Sequence, residues 1–456
     1  MHCHLPAKSV RELAPPCWRC SSRMSKLRLP KIHAPPEWGI KPVEQESRYL
    51  GFLDYFVFWS SLGAGLLVLL AGALLVPALS LQDAILATLI GTAIGNIPLV
   101  LSGVIGSKYT IPTMVSVRPS FGIRGSYVAT ILNLIQLVGW TAFEIVIMAK
   151  AADTISSAMI GYSSMPFWVV IFAAICVAMA IGGPLALIRH WLEKFAIWIV
   201  YGTSVWVAYS IMSRHTLFDL LSIKPQGGLP FLLAVDLVIA MPISWMPLAA
   251  DYMRFSKNTR AAASGTYFGY FVANSLFYAL GALFVLGAGV KDPVQAIATI
   301  VYGIPALLLI LVDETDNCFA DIYSASVSVQ NIWPNISQKL LVILIGLIGM
   351  LLAMLLPVEQ YTSFLLLIGS LFTPLFGVVV TDYFFVKRRE YLIEDLYRVN
   401  GNYWYQRGLN FKAIGAWIIG VICYHSIVIY ESWLGASIPS FIITAFIYWL
   451  TMKVKK

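Results

Sequence analysis

Residues Phe58-Trp59-Ser60-Ser61-Leu62-Gly63-Ala64-Gly65 and Ala240-Met241-Pro242-Ile243-Ser244-Trp245-Met246-Pro247 each interrupt a long apolar run. The first clusters small and hydroxyl residues near the middle of its run. The second carries two prolines five apart. Proline lacks an N–H and clashes with the preceding turn, so this helix is expected to open. Opened backbone at membrane depth is tolerated only where it is buried in protein or lines a cavity. Interrupted spans at matching positions of two halves point to a transporter site. A pair of kinked, packed helices is the alternative reading.

The surrounding composition sets this frame. Of 456 residues, 59% are hydrophobic and 12% charged, with mean hydropathy +0.78; an ordinary soluble domain carries about 25% charged residues. A soluble enzyme, a disordered chain and a fibrous repeat are excluded. Apolar runs fall at 52–79, 83–105, 126–149, 166–185, 195–213, 231–250, 265–289, 300–328, 338–356, 361–386, 411–430 and 434–452. They predict an all-α integral membrane protein of about twelve transmembrane helices. The interrupted spans are the first and the sixth, as expected if spans 1–5 and 6–10 form two inverted repeats.

With the N-terminus cytoplasmic, 27 of the 31 Lys and Arg fall on the inner side; Lys150, Arg214, Lys224 and Lys291 are the exceptions. This positive-inside bias predicts both termini in the cytoplasm and explains the net charge of +8 without nucleic acid. The expected organisation is a cytoplasmic tail over 1–45, a ten-helix core over 46–390, a cytoplasmic loop over 391–410, and two additional helices with a short tail over 411–456. Residues 1–23, with His2, Cys3, His4, Cys17 and Cys20, are read as an extension before an internal start at Met24 rather than as a metal site. Cys176, Cys318 and Cys423 read as small core residues.

Acidic residues within a membrane are functional hypotheses by default. Span three carries Trp140 and Glu144, four apart on one helical face. Together they offer a stacking surface and a hydrogen-bond acceptor, which a planar heterocycle with N–H donors requires. Span eight carries Asp313, Glu314, Asp316 and Asp321 within nine residues. Residues 313, 316, 317 and 320 form one face and 314, 318 and 321 a neighbouring one, so one helix can present a cation face and a substrate face. Thr315 and Asp316 offer hard oxygen ligands to a small cation or a proton site. Asp251 and Arg254, at the inner end of span six, are expected to pair and help close an inner gate; plain helix-end electrostatics is the alternative. Neither a G-x-x-x-x-G-K-[ST] phosphate loop nor an H-E-x-x-H zinc motif is present.

Four segments carry a family resemblance: Arg118-Pro119-Ser120-Phe121-Gly122, the Trp140-to-Glu144 pair, Ala250-Asp251-Tyr252-Met253-Arg254-Phe255, and the run from Tyr323 to Ile332. In this order, over roughly residues 35–390, the chain resembles the nucleobase:cation symporter-1 family of purine, pyrimidine and hydantoin permeases. The resemblance implies a leucine-transporter-like 5+5 inverted-repeat fold plus two C-terminal spans, no cofactor, and a coupling cation, Na+ or H+. It implies a substrate site of Trp140, Glu144 and Asp321, with Met241, Pro242, Ser244 and Trp245 as a further wall. It implies a cation site, possible for Na+, between Ser60, Ser61, Gly63 and Ala64 of span one and Val312, Thr315 and Asp316 of span eight.

Two departures from the family pattern narrow the expected substrate. Glu144 stands where members carry Gln, and Asp321 where they carry Asn. Both changes remove N–H donors and add acceptors. A carbonyl-rich base loses partners and an aminopyrimidine gains them. The resemblance is strongest to the hydroxymethylpyrimidine (thiamine-precursor) branch, with cytosine second. The expected protein is a plasma-membrane importer of such a base. An amino-acid permease ranks below it because Glu144 and Asp321 would repel a substrate carboxylate; a membrane enzyme or a channel ranks lower again.

Overall fold

The computed structural model describes residues 37–184, 195, 197–289, 292–356 and 360–453. The expectations for residues 1–23 and Met24 lie outside the described residues, as do Arg189, Lys194, Lys291, Lys455 and Lys456 of the charge pattern. Among the described residues the chain is helical, with two isolated β-bridges. The main helices are α1 (Phe52–Gly63), α2 (Leu66–Ala73), α3 (Leu81–Tyr109), α4 (Ser126–Ile160), α5 (Met165–Gly182), α6 (Ile197–Met212) and α7 (Phe231–Ser244). They continue with α8 (Ala249–Met253), α9 (Thr259–Ala288), α10 (Gly303–Gln330), α11 (Gln338–Ala353), α12 (Tyr361–Thr381), α13 (Phe411–Tyr430) and α14 (Ser437–Lys453).

Seven helical units are long and apolar enough to cross a membrane: α3, α4, α5, α7 with α8, α9, α12 with its extension to Val386, and α13. The bent pair α1–α2 makes an eighth. The other expected spans fall on α6, α11 and α14, which are shorter apolar helices, and on α10, which carries the four carboxylates.

The first span breaks where its small residues predict. α1 and α2 meet at 56° across Ala64 and Gly65. Gly65 has φ +143°, and a Cβ there would lie 2.7 Å from Glu314 Oε2. Span six differs from expectation. Pro242 lies inside α7, and the helix continues to Ser244 before a 3₁₀ turn over Met246–Leu248 leads into α8. Pro247 sits in the first turn of that short helix, where its missing N–H has no partner to lose. The interruption therefore falls three residues beyond Pro242.

α1 and α2 pack on α9, α10 packs on α4, and α3 is flanked by α7, α8 and α9. Contact between α2 and α9 is backbone against backbone: a Cβ on Gly281 would lie 2.0 Å from Leu69 O, and one on Gly72 2.1 Å from Tyr278 O. Burial separates centre from rim. In α4 and in α7–α8, 72% and 78% of the apolar window is buried, against 22% in α13. The terminal pair α13 and α14 packs on α12. Asp236 of α7 pins α14 in place, accepting from Ala436 N and Ser437 N at 2.9 Å each. A carboxylate at a helix N-terminus meets both the free N–H groups and the positive end of the helix dipole.

Candidate functional site

Both interruptions free backbone groups inside the protein, and side chains from neighbouring helices capture them. At the first break, Asn317 Nδ2 donates to Ala64 O at 3.2 Å, and Leu66 N donates to Glu314 Oε2 at 2.7 Å. At the second, Gln136 Nε2 donates to Ser244 O at 3.1 Å, Asn133 Nδ2 to Pro247 O at 3.4 Å, and Ser102 Oγ to Met246 O at 3.3 Å. An unsatisfied buried backbone group costs several kcal/mol in a bilayer. These five side chains make the breaks stable features.

A narrow cleft lies between the two breaks. Leu62, Leu67 and Val68 of the first span line one side; Met241, Ser244 and Trp245 of α7 and its end line another. α4 contributes Trp140 and Glu144, and α10 contributes Glu314, Asn317 and Asp321. Six of the seven sequence-predicted substrate residues thus meet here. Pro242 turns away: its Cγ faces Gly95 of α3, where a Cβ would approach it to 2.4 Å.

Trp140 is 6% exposed, and its ring stands edge-on to Tyr361 and Phe364 of α12, at centroid distances of 5.7 and 5.3 Å. It is a protein-facing, not a lipid-facing, residue. Among the described residues Trp140 Nε1, Asn317 Oδ1 and Asp321 Oδ2 have no hydrogen-bond partner, while the Glu144 and Glu314 carboxyls bond to each other. Buried polar groups are usually satisfied. Three such atoms lie on the lining residues of one cleft, where a polar ligand could supply partners.

The expected cation residues divide. Ser61 Oγ lies 3.0 Å from Asp313 Oδ1 and 3.2 Å from Asp316 Oδ2, and Ala64 is tied to α10 through Asn317. Ser60 Oγ donates to Gly269 O and accepts from the Tyr201 hydroxyl. Gly63 lies against Tyr270 O of α9. Thr315 Oγ1 donates to Val312 O within its own helix, Cys176 Sγ contacts Thr315 O, and Val312 is 39% exposed. The hydrogen bonds that tie α10 to residues 60–64 run through Asp313, Asp316 and Asn317 rather than Val312 or Thr315.

Asp251 and Arg254 do not form the expected carboxylate–guanidinium pair, the ion pair among the described residues being Lys150–Asp292; Arg254 Nε donates instead to the Asp251 backbone O at 3.2 Å. Asp251 accepts from Thr113 N at 2.8 Å and from Ser324 Oγ at 2.5 Å. Arg254 donates to Gly39 O at 2.7 Å and to the Tyr323 hydroxyl at 3.0 Å. The two side chains instead tie span six to α10 and to the segment before α1.

Sequence reasoning missed Glu314 and Asn317 as cleft residues, and Asn133 and Gln136 as supports. The signal for the second pair was present: Asn133, Gln136, Trp140 and Glu144 recur at helical spacing on one face of span three. For the first, the shared face of 314 and 321 was visible, but not that it meets the break of span one.

The model of the family described as permease for cytosine/purines, uracil, thiamine and allantoin matches residues 42–451. The hydantoin permease of Microbacterium maritypicum is 26% identical over 403 residues, covering 83% of this chain and 82% of its own. The cytosine permease of Escherichia coli strain K12 is 28% identical over 325 residues, covering 70% and 74%. Among solved structures, Mhp1, a nucleobase-cation-symport-1 family transporter in a closed conformation with bromovinylhydantoin bound, superposes with TM-score 0.80. It is 23% identical and covers 91% of this chain and 94% of its own. A Na+-coupled sialic acid symporter has TM-score 0.62 at 14% identity, covering 90% of each chain. These structures show a shared helical membrane-transporter fold. With its family model spanning nearly the whole described chain, this protein belongs to the nucleobase:cation symporter-1 permeases and is a multi-pass membrane transporter, not an enzyme.

Proposed function

We propose that this protein imports an aminopyrimidine, a hydroxymethylpyrimidine or cytosine-like base, by cation-coupled alternating access. The observation that carries this is the convergence of Trp140 and Glu144 on α4 with Asp321 on α10 across one cleft between two interrupted spans. Trp140 supplies an aromatic wall, while Glu144 and Asp321 accept hydrogen bonds from ring and exocyclic N–H groups. Met241, Ser244 and Trp245 form the opposite wall, with Pro242 shaping it from behind. A second reading, a permease for another nucleobase or a hydantoin, is favoured by the likeness to the hydantoin permease.

The coupling cation, Na+ or H+, binds between Ser60, Ser61, Gly63 and Ala64 and the helix bearing Val312, Thr315 and Asp316, with Ser61 and Asp316 as its nearest pair. Binding there favours the state competent for substrate. Asp251 and Arg254 act at an inner gate through Ser324, Tyr323 and Gly39. The architecture proposed is twelve spans. A core over 46–390 is built of two inverted repeats, followed by a cytoplasmic loop over 391–410 and two further helices over 411–456. The tail over 1–45 and the C-terminus face the cytoplasm, and the host membrane is the plasma membrane. No cofactor and no nucleic acid take part.

Reconstitution into liposomes tests this reading. Labelled 4-amino-5-hydroxymethyl-2-methylpyrimidine or cytosine is expected to accumulate saturably only under an inward sodium or proton gradient, and the effective gradient identifies the cation. Uptake that fails to saturate, or that ignores both gradients, contradicts symport.

A further inference from the structure

Asp313 and Asp316 of α10 meet span one through a single hydroxyl. Ser61 Oγ lies 3.0 Å from Asp313 Oδ1 and 3.2 Å from Asp316 Oδ2. The two carboxyls are three residues apart on one helical face, and both are buried, at 1% and 0% exposure. A serine has one proton to give, so Ser61 satisfies one carboxylate at a time. The second oxygens, Asp313 Oδ2 and Asp316 Oδ1, have no hydrogen-bond partner among the described residues.

No positive group of the described chain answers these charges. Neither carboxyl takes part in an ion pair among the described residues, and the charged groups acting on Asp313 are the carboxyls of Asp316 and Glu314. Buried carboxylates without a counter-charge are costly. Ser61 also lies in the last turn of α1, which ends at Gly63. There helix carbonyls lack intrahelical donors and the helix dipole presents its negative end. Hydroxyl and carboxylate oxygens are the donors that small hard cations take. Asp313 lies outside the cation set that the family resemblance implies, which draws on Val312, Thr315 and Asp316.

We propose that Asp313 is a ligand of the coupling cation, so that Asp313, Asp316 and Ser61 together bind one small hard cation, Na+, between α10 and the end of α1. This rests on the reading of that region as the cation site. The ion supplies the positive charge that the two carboxylates lack. It also fastens the last turn of α1 to α10 beside the break, where Asn317 already holds Ala64 O and Glu314 holds Leu66 N. Cation binding therefore steadies the joint of α1 and α2 that borders the substrate cleft.

Binding of radiolabelled sodium to purified full-length protein, with choline chloride keeping the ionic strength constant, tests this. Asp313→Asn is expected to lose at least about tenfold in sodium affinity, as is Asp316→Asn. Asp313→Glu, which keeps the charge, should retain more affinity than Asp313→Asn. A loss smaller than about tenfold in monodisperse Asp313→Asn protein overturns the assignment; Asp313→Ser serves the same test if the amide variant does not fold. The double variant separates ligation from packing. Two ligands of one ion act non-additively, so the loss in Asp313→Asn/Asp316→Asn protein should fall short of the product of the single losses. Losses that multiply place the carboxylates at separate sites and overturn the proposal. If Asp316→Asn abolishes sodium binding and Asp313→Asn does not, this inference alone fails. If wild-type protein binds no sodium, the reading of the region as a sodium site fails, and the inference with it.

Discussion

Glu144→Gln is expected to weaken aminopyrimidine binding about 10- to 100-fold while leaving a folded, monodisperse protein. The substitution removes a charged acceptor and presents an amide donor to the ligand's own N–H groups. Folding should survive because an amide can keep the side-chain hydrogen bond to Glu314, and a neutral isostere lowers the cost of burial. Affinity for a carbonyl-rich base such as uracil should rise in the same variant, since the new amide can donate to it. Titration of both ligands against wild-type and variant protein reads the exchange. Unchanged aminopyrimidine affinity removes Glu144 from the ligand.

Asp316→Asn is expected to separate substrate binding from cation coupling. Asp316 is fully buried, lies 3.2 Å from Ser61 Oγ through one oxygen, and has no partner for the other among the described residues. It does not line the cleft, so substrate affinity without the driving cation should stay within about threefold. The cation's enhancement of substrate affinity, about 5- to 150-fold for a typical coupled pair, should collapse toward unity. Gradient-driven accumulation in liposomes should disappear with it. Full concentrative uptake by Asp316→Asn protein excludes this carboxylate from the cation site.

The cleft was legible in the sequence to the extent that single helices carry it. Trp140 and Glu144 share a face by helical spacing alone, and the small residues of 60–65 announced a break that the structure bends by 56°. The second break was mislocated because proline in a buried helix marks strain without fixing where the backbone yields. Pro242 remains helical against Gly95, and the interruption falls at 245–248, where Gln136, Asn133 and Ser102 receive the freed carbonyls. The Asp251–Arg254 pair failed for a related reason. Spacing brings two residues to one helical face, but the nearest partners, Thr113, Ser324, Gly39 and Tyr323, lie far away in sequence. Glu314 and Asn317 show the same limit: their role depends on α10 running beside the break of span one, a long-range contact that no local pattern encodes.

The central claim is that the cleft's carboxylates read the N–H edge of a base. The most direct measurement is thermal stabilisation of the purified wild-type protein against a panel of bases, with and without sodium, at two pH values. A ligand that binds only the folded state raises apparent stability by mass action. The account predicts that hydroxymethylpyrimidine or cytosine stabilises the protein and uracil does not, with dependence on sodium or pH identifying the coupling ion. Stabilisation by uracil, hydantoin or an amino acid in place of the aminopyrimidines would contradict it.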